Sequence, residues 1–320
     1  MQLAFLMVPQ FSLMAFSAAI EPLRSANRLS GKTLYEWQLV SLDGAPVTAS
    51  NGVSIAVHSA FAELKQPDML VVCVGLDPLQ CAGNRRLHHR LRHFARHGCR
   101  VGAISAGSFV LADAGLLADR LCTVHWEYNE LFASRYPQLK QTQDLYVVDR
   151  GVFTCSGGTA ALDMMLHFVG EHCGSQLALA VAEQFIHPRI REQGDAQRME
   201  LRARYGLHEP KLIEVIRLME STLDGPLPIQ AIAQRVGLSP RQIERLFRRH
   251  LNESPRPFYL RLRLARGQAL LKQTSQSIQE VALACGFGST SHFAHAYRRH
   301  FRRTPSEERR RPARGAAVAA

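Results

Sequence analysis

IQAIAQRVGLSPRQIERLFRRHL (229–251) and IQEVALACGFGSTSHFAHAYRRHF (278–301) are two copies of one pattern. Each reads as a helix, a tight turn holding glycine, and a second helix that ends in an aromatic residue followed by Arg-Arg-His. That is the sequence form of a helix-turn-helix, present twice. In the first copy Gly237 supplies the permissive turn backbone. Ser239 stands at the cap of the second helix, Pro240 at its first position, and Gln242 completes a capping box. Ile243, Leu246, Phe247 and His250/Leu251 share one face, which we assign to the core. In the second copy Gly286 is the turn glycine and Ser289 the cap, with Phe293, Ala296 and Tyr297 facing inward. The segment 257–272 (PFYLRLRLARGQALLK) joins the copies as a helix. A rigid link of that kind sets two reading helices about one DNA turn, roughly 34 Å, apart on one face of a duplex.

A helix lying in the major groove presents the outward side chains near its N-terminus to base edges. This assigns Arg241, Glu244 and Arg245 to base reading in the first copy, and Arg248 and Arg249 to phosphates. In the second copy Thr290, Ser291, His292 and His295 are small or neutral donors and acceptors suited to bases or bridging waters. Arg298 and Arg299 are its phosphate candidates, with Arg302 and Arg303 behind them. Charge agrees with this partition. Residues 1–200 hold 17 Lys and Arg against 18 Asp and Glu, whereas residues 201–320 hold 22 against 9. The whole net charge of +12 therefore lies in the last third, and it is mostly arginine. A double-stranded polyanion is the partner such a segment fits.

The A-x-x-x-G-[LF] motif of each copy, and above all QEVALACGFGSTSHFAHAYRRHFRRTPSEERR, resembles the AraC/XylS family signature over about residues 210–310. The resemblance implies an all-α domain with two helix-turn-helix units, a regulator of transcription that is mostly an activator, and RNA polymerase as a further partner. The alternative for this segment alone is a basic helical bundle with solvated arginines.

Working back towards the N-terminus, the pattern changes. LAFLMV (3–8), YEWQLVSL (35–42), DMLVVCVG (68–75) and RVGAI (100–104) are apolar runs that read as buried strands. Helices are expected at 12–28, closed by Gly31, at 80–97, at 109–117 and after Ser156, the last ending at Gly174. DLYVVDRGVFTC (144–155) reads as a hairpin turning at Asp149-Arg150-Gly151. Alternation of this kind makes an α/β domain of flavodoxin-like type with a mainly parallel sheet. We place it at residues 1–190, followed by an exposed, charged linker at 191–209, the helical domain at 210–308, and a disordered tail at 309–320 whose arginines add non-specific DNA affinity.

RVGAI-SAG-SFVLADAGLL has a nucleophile-elbow shape with Ser105 at its apex. With ASNGVSI, DMLVVCVG and VFTCSGGTAALDMMLH it resembles the PfpI/class I glutamine-amidotransferase-like domain. Joined to an AraC-type tail, the chain is similar to the GlxA-type regulators along nearly its whole length. The family's enzymes carry Cys at the elbow and an acid in the first helix; here Ser105 and Ala15 stand there, and His125 alone of that set is kept. The expectation is therefore a receptor and not an enzyme, with no cofactor: a serine without an oriented base is a poor nucleophile. Phe11, Ser12, Gly75, Ser105, Ala106, His125 and Trp126 are the expected effector-binding set, at the ends of the strands and the start of the helix beyond. Trp126 and Phe faces attract a quaternary ammonium group, and a helix N-terminus attracts a carboxylate. FSLMAFSAAIEPLRSANRLSG and SLDGAPVTASNG resemble the branch that responds to glycine betaine, carnitine or related amino-acid-like compounds. Phe11, Phe16 and Trp126 also read as ordinary core residues. The rival classes are a PfpI-like hydrolase or hydratase fused to a DNA-binding domain, and a ligand-independent DNA-binding dimer.

Other features point elsewhere. Seven cysteines without a C-x-x-C pair, mostly in apolar runs, fit reduced thiols in a cytoplasm, and the N-terminal domain is expected to dimerise, making a homodimer. No apolar run approaches the roughly 18 residues a membrane span needs. MQLAFLMVPQFSL lacks a basic n-region, so it reads as a strand and not a signal peptide. His89, His93 and His97 recur at helical spacing near His88 and Cys81, but arginines crowd them, so they read as a solvated basic face and not a metal site. Gly157-Gly158 reads as a tight turn.

Overall fold

The computed structural model describes residues 1–197, 201–274 and 276–310. The chain divides into two compact units, Met1–Gln197 and from Arg198 onward. Most of the expected tail, residues 311–320, lies outside the described residues.

Eleven strands occur in the first unit: β1 (Gln2–Met7), β2 (Glu36–Ser41), β3 (Val47–Thr48), β4 (Ser54–Ile55), β5 (Ser59–Ala60), β6 (Met69–Val74), β7 (Arg100–Ser105), β8 (Leu121–Thr123), β9 (Lys140–Thr142), β10 (Tyr146–Asp149) and β11 (Val152–Cys155). Seven form one sheet in the order β10-β11-β7-β6-β1-β2-β5, parallel except for the β10–β11 hairpin. Side-chain alternation along the central strands splits the core in two. Leu3, Phe5 and Met7 of β1, with Met69, Val71 and Cys73 of β6, face one layer; Ala4, Leu6, Leu70, Val72 and Val74 face the other. The first layer holds α1 (Leu13–Ser30), α5 (Ala160–Cys173) and α6 (Ser175–Gln184); the second holds α2 (Arg85–Arg96), α3 (Ser108–Asp113) and α4 (Asn129–Arg135). This is the flavodoxin-like, mostly parallel arrangement that the alternating pattern implies.

Local chemistry sets the element ends. Gly31, at φ +66, closes α1 as expected. The helix expected at 80–97 begins only at Arg85, because the Asn84 side chain accepts from Leu87 N and fixes the cap there. The helix expected at 109–117 ends at Asp113, ahead of a turn with Gly115 at φ +72.

The region beyond residue 190 differs most from the expectation. Ala178, Val181 and Ala182 of α6 are buried in the first core, so this helix is part of the unit. The linker expected from 191 onward, exposed, starts instead as an ordered strap. Arg191 and His187 converge on Asp163, whose side chain is fully buried in α5. Leu145 N donates to Gln193 O and Asp195 O, and the Gln197 amide reaches Thr123. The charge in this stretch thus has a buried counter-charge that sequence spacing does not reveal.

The second unit is helical: α7 (Leu201–Tyr205), α8 (Pro210–Ser221), α9 (Ile229–Val236), α10 (Pro240–Leu251), α11 (Pro255–Gln273), α12 (Ile278–Ala284), α13 (Thr290–Phe301) and α14 (Pro305–Arg310). It has two small cores. One joins α8, α9 and α10 to Phe258 and Tyr259 of α11; the other joins Leu264, Leu270 and Leu271 of α11 to α12 and α13. A Cβ at Gly267 would lie 2.9 Å from the Phe293 ring, so α11 and α13 meet at backbone distance.

Burial raises the thiols well above their usual range, Cys81 and Cys122 to about 11 and Cys99 and Cys155 to about 12. Cys173 alone of the seven is half-exposed. The thiolate is the reactive form. Iodoacetamide at pH 8, read by mass spectrometry of the native protein, should therefore modify Cys173 first and the other six only on unfolding.

Candidate DNA-binding surface and effector crevice

Both duplicated units carry the caps their sequences require. Ser239 Oγ accepts from Gln242 N and the Gln242 side chain accepts from Ser239 N, a complete capping box with Pro240 at the first helical position. Ser289 Oγ accepts from His292 N. Gly237 and Gly286 both lie at positive φ, +69 and +70. Gly286 has a second reason to be glycine, since a Cβ there would lie 2.3 Å from Pro226 Cδ.

Ile243 and Phe247 of α10, and Phe293, Ala296 and Tyr297 of α13, are buried. The opposite faces are open. Arg241, Arg245, Arg248 and Arg249 are exposed, as are Ser291, His292, His295, Arg298 and Arg299; Thr290 is half-buried at the start of α13. Glu244 is half-buried and pairs with Arg248 at 3.3 Å. His250 is exposed and does not reach the core, because Leu246 and Leu251 pack there on either side of it. The two helices therefore present all eleven candidate DNA-contacting positions on surfaces that no core claims, with α10 the more highly charged and α13 the more neutral. Some basic residues are spent inside the unit, two of them on helix ends. The Arg263 guanidinium donates to Cys285 O and Gly286 O at the end of α12, and Lys211 Nζ donates to Val236 O at the end of α9. This removes them from the pool free for phosphate.

In the first unit the chemistry gathers at the carboxyl end of β7. Ser105 sits at φ +59, a left-handed conformation that a serine adopts at a cost of about 1–3 kcal/mol. Its surroundings enforce it. A Cβ at Gly107 would be 2.5 Å from Val72 O, and one at Gly157 would be 2.8 Å from Ser105 Cβ. The elbow is thus intact, with serine at its apex. Ala15, fully buried in α1, offers no carboxylate. The His125 Nδ1 accepts from Glu127 N at 3.3 Å and lies 3.7 Å from the Glu127 carboxylate. Burial holds this imidazole below the usual histidine range, the Glu127 carboxylate working against it.

The expected effector set divides. Ser105 lies at the apex, while His125 is half-buried and Trp126 exposed next to it, their rings 5.5 Å apart. Phe11 is fully buried edge-on against Phe16, so it is core and not crevice wall. Gly75 is a backbone spacer, where a Cβ would stand 2.0 Å from Gln10 O. Ala106 is fully buried, and the Ser12 hydroxyl is half-buried and taken by the cap of α1, accepting from Ala15 N. Three further residues lie beside this set: Gly157, which packs on Ser105; Ser156 next to it; and Tyr128, whose hydroxyl donates to Gly75 O and Leu76 O. The Gly157-Gly158 pair was the one sequence signal for them.

Comparison with known proteins agrees with both units. Residues 1–171 match the DJ-1/PfpI family and residues 232–311 a helix-turn-helix domain. The HTH-type transcriptional regulator CdhR of Pseudomonas aeruginosa is 46% identical over 95% of this chain and 90% of its own length. GlxA of Rhizobium meliloti, also an HTH-type transcriptional regulator, is 38% identical over 97% of this chain and 96% of its own. A crystal structure of an AraC family transcriptional regulator from Pseudomonas putida is 30% identical, with a TM-score of 0.53 over 57% of this chain and 98% of that one. The class is thus a DNA-binding transcriptional regulator that carries a DJ-1/PfpI domain ahead of an AraC-type reading head. Within that class, the chain belongs to the GlxA/GbdR/CdhR-type regulators.

Two experiments follow from this geometry. Arg245→Ala should relax preference at one base pair by about 1–3 kcal/mol, whereas Arg299→Ala should weaken all sequences alike and lower the salt slope by about one, both read by titration of duplexes across salt concentrations. Ser105→Gly removes the left-handed penalty and should raise thermal stability, by roughly 1 kcal/mol in calorimetry, while Gly157→Ala should lower it.

Proposed function

We propose that the first unit is a catalytically silent receptor for a small metabolite, and that its occupancy controls DNA binding by the second. The observation that carries this reading is the crevice chemistry. The strained elbow is kept, but its apex is Ser105, the acid position is Ala15, and His125 Nδ1 is engaged by Glu127. Those features support binding without turnover. The half-buried His125 and the exposed Trp126 are the residues most open to a bound molecule, with the half-buried Ser12 at the edge and Ser105 itself buried at the apex. The exposed indole beside the imidazole suits a cation carried on alkyl groups. Together they favour a quaternary ammonium or amino-acid-like compound. The working form on this reading is a cytoplasmic homodimer that recruits RNA polymerase, with the base-reading residues assigned above. No described helix is long and apolar enough to cross a membrane.

The retained left-handed Ser105 favours one second reading, a residual hydrolase. Isothermal calorimetry with glycine betaine, carnitine, sarcosine and arginine decides the first: saturable heat with one of them, lost in Trp126→Ala, is expected, and silence from all four removes the ligand class. Turnover of a small amide that disappears in Ser105→Ala would establish the second.

A further inference from the structure

We propose that residues 192–197 are a releasable strap, and that Gln197 is a positioning residue linking the crevice walls to the start of the DNA-binding unit. The regulatory half of this proposal rests on the receptor reading above; the mechanical half does not.

The strap has a fixed post and a light latch. At the post, Arg191 N and His187 Nε2 lie 2.7 and 2.8 Å from Asp163 Oδ1, and the Arg191 guanidinium donates to Asp163 Oδ2 at 2.6 and 3.0 Å. Asp163 is fully buried, so these charge-assisted bonds are the strong ones. Arg191 also donates to Thr159 Oγ1 at 2.7 Å, two residues beyond the Gly157 that packs on Ser105. Beyond the post one charged contact holds the strap, the exposed pair in which Arg189 donates to Asp195 Oδ1 and Oδ2 at 2.9 and 2.6 Å, and the other hydrogen bonds back to the body of the unit are uncharged. Leu145 N donates to Gln193 O and Asp195 O at 3.1 and 3.0 Å, and Leu145 O accepts from Ser156 N at 2.8 Å. Leu145 therefore relays between the strap and the turn at Gly157. At the latch, Gln197 Nε2 donates to Thr123 Oγ1, Val124 O and Asp144 O at 2.8, 3.0 and 3.0 Å. Val124 directly precedes His125 and Trp126. Gln197 Oε1 is buried with no hydrogen-bond partner among the described residues. A buried acceptor left unmet opposes docking, so the latch is close to balance.

Both ends of the strap thus touch segments that wall the crevice, and the chain leaves the first unit at the latch. A ligand that draws residues 124–128 toward Ser105 moves Val124 O off Gln197 and frees the strap. Release back to Arg191 adds six residues of slack, at most about 20 Å of reach, to the tether of the DNA-binding unit. Longer tethers lower the effective concentration of that unit at a site and widen the spacings it tolerates.

Hydrogen–deuterium exchange on the full chain tests this. In Gln197→Ala, amides of 192–197 and of Leu145 should exchange about tenfold faster and residues 121–128 should follow, with β1 and β6 unchanged. Reciprocally, the double variant His125→Ala/Trp126→Ala should alter exchange of 192–197 at least about threefold. If 121–128 stays unchanged in Gln197→Ala, or 192–197 in the double variant, the linkage is overturned. Glycine betaine separates the two halves of the proposal. Binding heat without faster exchange at 192–197 overturns ligand-driven release and leaves the receptor reading standing. No heat, with the two variants still coupled, overturns betaine as the effector and supports the strap.

Discussion

The first unit depends on backbone meeting backbone at the carboxyl ends of its parallel strands. Gly75 lets the end of β6 approach the turn after β1 so closely that any side chain would strike Gln10 O, and Gly157 does the same against Ser105. With those two approaches in place, Ser105 has no relaxed alternative and stays left-handed at the apex. The crevice, the start of α3 and the position of His125 and Trp126 all follow from a main-chain arrangement, with few side chains involved. The shape of this site is thus set by glycines, and its chemistry by the side chains that stand on it.

The second unit is organised by the opposite principle, side chains filling two small cores about one shared helix. Its arginines do not form a uniform coat. Arg263 caps the end of α12 and stacks 4.2 Å from the Phe287 ring, while Glu308, buried against Tyr297, draws in Lys272 and Arg303. On α10 the residues Arg241, Arg245, Arg248 and Arg249 are all exposed. The corresponding turn of α13 carries Thr290, Ser291 and His292. On the contact assignments proposed above, counterion release would weigh on the first copy and shape or water-mediated readout on the second.

The sequence was legible wherever one residue type answers one backbone need. The capping box at Ser239, the turn glycines 237 and 286, the αL closure at Gly31 and the Asp149-Arg150-Gly151 hairpin could all be read in that way. It was misleading where an identity has two meanings. Phe11 looked like a wall for a cation and is core; Gly75 looked like a ligand approach and is a spacer for Gln10. The strap was not legible at all. His187 and Arg191 read as exposed charge because their partner, Asp163, lies some two dozen residues earlier inside a helix that reads as apolar. Gln197 has no pattern to betray it, since what it grips is mostly main-chain carbonyl oxygen.

The single helix α11 runs unbroken from one core of the second unit to the other. An α-helix advances about 1.5 Å and turns about 100° per residue. One residue inserted in its middle would therefore swing the second reading head to a different side of a duplex while barely changing the distance between heads. Whatever operator such a regulator comes to recognise, the phase between its two half-sequences is set by the length of this rod, and lineages can retune the bases being read far more easily than the angle at which they are read.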